Sequence, residues 1–177
     1  VGEGSAADLE AFIDTHFLGM SCSVWREFTM ADSLEDWLKR ADTPAAKIIK
    51  TLWRDAENRD GNAVALLPDF DERRMVGEML PALLGDPTFA ARPNWRGQPA
   101  ETGATARLCG HPLLRESLRR QGATVAARLL AKLLELSRLA DVLRGDTLSN
   151  LGWIRCAQVG KNAGLAWLQT SRGLLMH

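Results

Sequence analysis

Between Ala123 and Arg144 the chain sets Leu129, Leu133, Leu136, Ala140 and Leu143 at alternating steps of four and three, the period of one face of a helix. Arg128, Lys132 and Glu135 fall on another side, while Leu130, Leu134, Leu139 and Val142 widen the apolar stripe. A helix over 123–144 would run roughly 33 Å, long enough to be the spine of a domain with neighbours on more than one flank. The repeat lasts only about three heptads, which favours core packing over a coiled-coil partner. These residues predict a mainly α fold, a helical domain built around this one long helix.

Shorter segments fit that frame. Residues 8–18 place Leu9, Phe12, Ile13 and Phe17 at helical spacing, and Gly19 stands where such a helix would stop. Ser33, followed by Glu35 and Asp36, reads as a second helix start. Thr43-Pro44 reads as a third, with a capping hydroxyl and a proline where no intrahelical bond is lost. Its apolar face is Ile48, Ile49, Leu52 and Trp53, and Asp60-Gly61-Asn62 ends it. Ala63 to Leu67 is too short to separate strand from buried helix, and Pro68 terminates it either way. Residues 73–84 carry Met75, Met79, Leu80 and Leu83 on one side, with Gly77 and Pro81 interrupting the pattern. From Gly85 to Gly103 the density of Pro and Gly predicts an ordered surface loop with short extended pieces. After Gly145-Asp146 the period changes: 153–159 and 165–169 look extended around a turn-like 160–164, a small C-terminal β-hairpin that 172–177 can continue.

Composition excludes some partners. Lys plus Arg equals Asp plus Glu at 22 each, so no net field draws the chain to nucleic acid or an anionic membrane. No run approaches the roughly 20 apolar residues of a membrane span, and Val1 to Asp8 lack the order of a secretory signal, so no membrane insertion and a cytoplasmic setting are expected. Cys22, Cys109 and Cys156 are odd in number and far apart, which points to free thiols rather than a disulfide framework. With 177 residues one domain over 1–177 is the default, and an end at Leu174-Leu175-Met176-His177 directly after an apolar segment suggests a fragment of a longer protein.

No phosphate loop, zinc-protease helix or nucleophile elbow is present. Cys109-Gly110-His111 offers two metal ligands, but a zinc site needs three or four and no complement is evident. A thiol and base two residues apart rarely reach catalytic geometry either. The favoured reading is that Cys109 closes one helix while His111, before Pro112, opens the next.

Two stretches carry a family resemblance. Residues 93–114 contain Gly97-x-Pro99 followed by Glu101, Gly103, Ala106 and Arg107. This resembles the segment of nickel-iron hydrogenase large subunits with a Gly-x-Pro lead-in and a Glu-x-Gly-x-x-Ala-Arg core. Residues 169–177 are similar to the same subunits' Glu-Ala-Pro-Arg-Gly-x-Leu-x-His segment, matched at Arg172, Gly173, Leu175 and His177. Gln169 stands in place of the family's Glu, and Thr170-Ser171 in place of Ala-Pro. Catalytic members hold the metal through two Cys-x-x-Cys pairs, and this sequence has neither. His16-Phe17-Leu18-Gly19-Met20 and Trp25 look like the HupK/HoxV group of hydrogenase accessory proteins, paralogues of the large subunit that lost nickel ligation.

The resemblance implies a fold like part of the large subunit and a non-catalytic scaffold in hydrogenase maturation. Its partners would be maturation chaperones and the hydrogenase large subunit. No cofactor tightly bound in isolation is expected, only a transient iron-cyanide-carbonyl moiety in passage. Arg172 matches the family arginine that overhangs the metal, and a guanidinium can donate several hydrogen bonds to cyanide nitrogens. Gly173 would allow close backbone approach, while Glu101 and Arg107 would orient the loop by charge-assisted hydrogen bonds. For Arg172 the alternative is a structural ion pair with a carboxylate; for Glu101 it is a helix-start acid. Two further readings stay open for the chain: a piece of a catalytic large subunit, or a module that only docks assembly proteins.

Overall fold

The computed structural model describes residues 3–28, 31–57, 65–67, 69–89, 91–143 and 153–177. The chain divides into two compact units, Val1–Ala63 with Leu108–Leu148, and Val64–Arg107 with Ser149–His177.

The first unit is helical among its described residues. Helix α1 (Glu3–Ile13) passes into a π-helical turn over Asp14–Leu18, which ends at Gly19 with φ of 66°, a left-handed cap that glycine adopts without strain. Helices α2 (Cys22–Arg26), α3 (Ala31–Arg40) and α4 (Pro44–Glu57) follow. The Thr43 hydroxyl accepts from Ala46 N at 3.1 Å, the expected cap, and also donates to Phe17 O at 2.8 Å. Trp37 Nε1 donates to Leu18 O at 2.6 Å, so one turn after α1 is tied to both α3 and the start of α4. On α4, Ile49 is buried and Leu52 and Trp53 are half-buried, whereas Ile48 stays 61% exposed. The expected stop at Asp60-Gly61-Asn62 lies outside the described residues.

Helix α7 (Ala104–Leu108) leads to α8 (Pro112–Gln121) and α9 (Val125–Leu143). The long helix of the sequence is α9, capped by the Thr124 hydroxyl, which accepts from Ala127 N at 3.2 Å. Helix α9 packs against α1, α2, α4 and α8. Its buried face runs through Ala126, Ala127, Leu130, Ala131, Leu133, Leu134 and Ser137, while Leu129 and Leu136 are only half-buried. Leucines of the expected stripe and alanines outside it share that face.

The second unit corrects the fold class. A mainly α domain around one helix of 123–144, with only a small C-terminal hairpin, does not describe it. Strand β1 (Ala65–Leu66) pairs in parallel with β2 (Ala100–Glu101), which makes the segment too short to separate strand from helix an extended one. Strands β3 (Ile154–Gly160), β4 (Ala163–Thr170) and β5 (Gly173–Met176) form an antiparallel sheet in that order, three strands rather than two. Helix α9 organises the first unit alone. Parallel pairing joins residues 35 apart in the chain, Ala65 with Ala100, and leaves no periodic trace within either segment.

Between β1 and β2 lie α5 (Glu72–Arg74), a π-helical turn over Met75–Met79 and α6 (Leu80–Gly85). This is the run expected over 73–84, with the widened turn just ahead of Pro81, whose ring supplies no N–H to continue a regular helix. Asp71 caps the run, accepting from Arg74 N at 2.8 Å. Met75 and Met79 enter a core with Leu67, Phe70, Phe89, Ala157, Leu165 and Trp167. Trp95 meets Phe70 edge-on at 4.9 Å, and Arg155 reaches from β3 to Phe70 O and to Asp69 Oδ2 at 3.2 Å. Together these hold the inner face of the sheet over the helical run and fix where the β4–β5 turn stands.

Candidate functional site

The two hydrogenase-like segments, more than sixty residues apart, meet in the second unit. Strand β4 ends at Thr170 and β5 begins at Gly173, with Ser171 and Arg172 forming the turn. The Thr170 hydroxyl builds that turn: it accepts from Arg172 N and Gly173 N, each at 3.2 Å, and donates to Gly173 O at 2.9 Å. Threonine hydroxyls commonly organise short turns in this way.

Against the turn lies the strand-to-helix corner Glu101-Thr102-Gly103 that opens α7. A Cβ built on Gly173 would stand 2.0 Å from Thr102 Oγ1 and 3.1 Å from Thr102 Cβ. Gly173 also has φ of 142°, a conformation that side-chain-bearing residues rarely adopt. Both steric reasons require glycine there. Gly103 faces the same turn, with the Arg172 carbonyl 3.8 Å from where its own Cβ would be.

Arg107, one turn into α7, completes the junction. Its Nη1 donates to Gln169 Oε1 at 3.2 Å and to Thr170 O at 3.0 Å. Arg107 thus holds the end of β4. Glu101 is half-buried in β2, and its carbonyl accepts from Leu67 N at 2.9 Å, which anchors the corner to β1. Arg172 sits at the tip of the turn with its side chain in solvent, and its guanidinium makes no hydrogen bond or ion pair among the described residues.

Behind the junction is a cavity of about 10 Å³ bordered by Asp69, Thr102, Ala106, Arg107, Gln169 and Leu174. That is about the space of one water molecule. A diatomic-liganded metal could not enter it, so any such group would lie outside, on the Arg172 side of the turn.

The other sequence candidates stand elsewhere. Cys109 is exposed in the turn after α7, and His111 is the half-buried, extended residue just before Pro112, where α8 begins. Among the described residues no three His, Cys, Asp or Glu side chains converge as metal ligands. His177, matched to the family motif at the far end of β5, pairs its backbone with Ala166 through two hydrogen bonds of 2.8 Å and does not share the Arg172 turn. Sequence reasoning named Gln169 and Thr170 only as departures from the family and did not single out Thr102. A threonine three residues ahead of a motif glycine was the available turn signal.

The chain is 25% identical, over 97% of its length, to the hydrogenase expression/formation protein HoxV of Cupriavidus necator. It resembles a HoxV-type accessory protein. The likeness to a HoxV-type accessory protein is therefore borne out. The chain spans 45% of the length of HoxV. No family model matches it. No solved structure matches it either. No described helix is long and apolar enough to cross a membrane.

Proposed function

We propose that this chain acts in nickel-iron hydrogenase formation as a non-catalytic accessory protein of the cytoplasm. It holds or relays the iron-cyanide-carbonyl moiety before delivery to the large subunit, working with maturation chaperones. The observation that carries the reading is the meeting of the two large-subunit-like segments, Thr102-Gly103 against Arg172-Gly173, in a chain that also resembles HoxV. The sequence has no Cys-x-x-Cys pair, the element through which catalytic subunits hold nickel.

Iron carrying cyanides presents hydrogen-bond acceptors and negative charge, and an arginine side chain offers five donors with a charge that persists at any working pH. Arg172 has that guanidinium uncommitted and exposed on a turn that Thr170, Arg107 and Gln169 hold in place. The cargo is met at the surface, which suits a group that must be passed on.

The test is infrared spectroscopy of the full-length protein purified anaerobically with its maturation partners. Cyanide and carbonyl stretches should be present and should be lost or reduced in Arg172→Ala. A full-length protein that never carries those bands would remove the cargo role. Bands and hydrogenase maturation both unaffected by Arg172→Ala would move the function to protein docking alone.

A further inference from the structure

The β3–β4–β5 sheet carries apolar side chains on both faces. Ala157, Leu165 and Trp167 are turned into the core of the second unit. On the opposite face Ile154 pairs with Leu168 and Leu168 pairs with Leu175, so three branched apolar side chains stand in one row across all three strands. Ile154 is 78% exposed and Leu175 55%, with Leu168 half-buried between them. Cys156 and Ala166 form the next pair along the same face, also exposed. Arg155, the one charged residue of the three strands, reaches the other way, to Phe70 O and Asp69. An antiparallel sheet with one face in water alternates apolar inward with polar outward, whereas apolar side chains on both faces belong to a sheet that is covered twice. Single exposed apolar residues are ordinary, but a contiguous row of them marks an interaction surface.

We propose that this row is where the hydrogenase large subunit docks while it takes the iron group from Arg172, laying the apolar side of one helix across the three strands. The inference rests on the cargo role proposed above. Two features select that occupant. The first is position: the Leu168–Leu175 pair lies two pairs from the Thr170–Gly173 pair that closes the Arg172 turn, roughly 7 Å along the ladder. A protein seated on the row therefore has its surface beside the guanidinium, as a hand-over requires. The second is size. Three strands span about 10 Å, the width of one helix, and the exposed rows cover on the order of 200–300 Å². A stable dimer buries about 800 Å² on each partner. The face is therefore too small to hold a second copy of the chain and suits a contact that forms and is released.

Binding of the full-length protein to the purified, iron-free large subunit is the test, read by biolayer interferometry. Ile154→Glu with Leu175→Glu should weaken it at least tenfold. Ile154→Thr with Leu175→Thr, which keeps strand propensity and adds no charge, should do the same with an unchanged circular dichroism spectrum. Lys161→Glu, in the exposed turn between β3 and β4, should leave binding as it was. Labelling followed by mass spectrometry supplies a second readout: the exposed Cys156 should react at least tenfold more slowly once the large subunit is added, while Cys109 stays fast.

Infrared bands separate this proposal from the cargo role. Arg172→Ala should lose the cyanide and carbonyl bands and keep the binding, whereas the Ile154 and Leu175 double variants should keep the bands and fail to deliver the group. A parent protein without bands that still binds through the row would sink the cargo role and leave the docking face standing. Binding that is absent from the parent, or indifferent to both double variants, overturns the proposal. A concentration-dependent dimer dissolved by the threonine pair would make the occupant a second copy and overturn it too. So would a Cys156 already slow to label in the full-length protein alone, because the protein's own chain would then cover the face.

Discussion

Gly173 and Thr102 are interlocked: the hydroxyl of Thr102 occupies the space where any side chain on residue 173 would begin, 2.0 Å from the ideal Cβ position. One segment of the chain is thereby keyed to another that lies some seventy residues earlier. Gly173→Ala forces both a clash and an unfavourable φ, and should destabilise the second unit by about 2–5 kcal/mol. Urea unfolding measures it. Adding Thr102→Ala removes the hydroxyl and should recover only part of the loss, since the strain at φ of 142° remains. Full recovery would mean that the backbone angle costs nothing.

Arg107 reads the end of β4 through two acceptors, and they are not equivalent. Arg107→Lys shortens the side chain by one bond, so its ammonium falls short of the position from which Nη1 reaches both Gln169 Oε1 and Thr170 O, and it should cost about 1–3 kcal/mol. Gln169→Ala leaves the bond to Thr170 O in place and should cost less. Gln169→Glu restores the residue of the hydrogenase motif and turns a neutral acceptor into a charged one, so it should stabilise the junction by about 1 kcal/mol. Thermal unfolding of the three variants side by side is the check, and the predicted order is Glu above wild type, then Ala, then the lysine variant.

How much of this was legible beforehand depended on the range of the signal. The cap at Thr43, the stop at Gly19 and the helix of Val125–Leu143 are local events, written within a few residues, and the sequence shows each of them. The strand β5 continues the hairpin locally over residues the sequence marked as able to do so, whereas the parallel β1–β2 ladder is an agreement between distant segments, and a two-residue strand has no period to read. On α9 the stripe read from the sequence holds at Leu130, Leu133 and Leu134, which are buried, and misses Ala126, Ala127 and Ala131 on the same face, because apolar size drew the reading. At the candidate site, Arg107, Arg172 and Gly173 were found through resemblance. Thr102 and Thr170 were not, because their contribution is one of packing and turn geometry.

The three cysteines should separate by accessibility. Cys22 is buried, while Cys109 and Cys156 are exposed. A disulfide-exchange reagent should therefore titrate two thiols rapidly in the native protein and the third only on unfolding. Cys109→Ser and Cys156→Ser should each remove one fast equivalent, and Cys22→Ser should remove only the slow one. Three fast thiols would contradict the burial of Cys22 at the start of α2.

Glu116 on α8 has the most displaced carboxyl among the described residues whose value is resolved. Hydrogen bonds from Arg119, 2.8 Å from Oε1, and from Arg120 at 2.6 Å hold it down at about 2, well below the ordinary glutamate value of 4.5. A carboxyl whose folded value is depressed stabilises the fold fully above its unfolded value and loses that contribution as pH falls through the folded one. The contribution is therefore fully present near neutrality, and its loss belongs to the window from 4.5 down to about 2. Carbon-13 NMR of the Glu116 carboxyl should give a midpoint near 2, and Glu116→Gln should flatten the acid limb of the stability profile over the same window. The cluster is exposed to solvent, so salt near 1 M, with a screening length of about 3 Å, should move the midpoint back toward 4.5. A midpoint already at 4.5 in low salt would mean that the two arginines do not hold the carboxylate in solution.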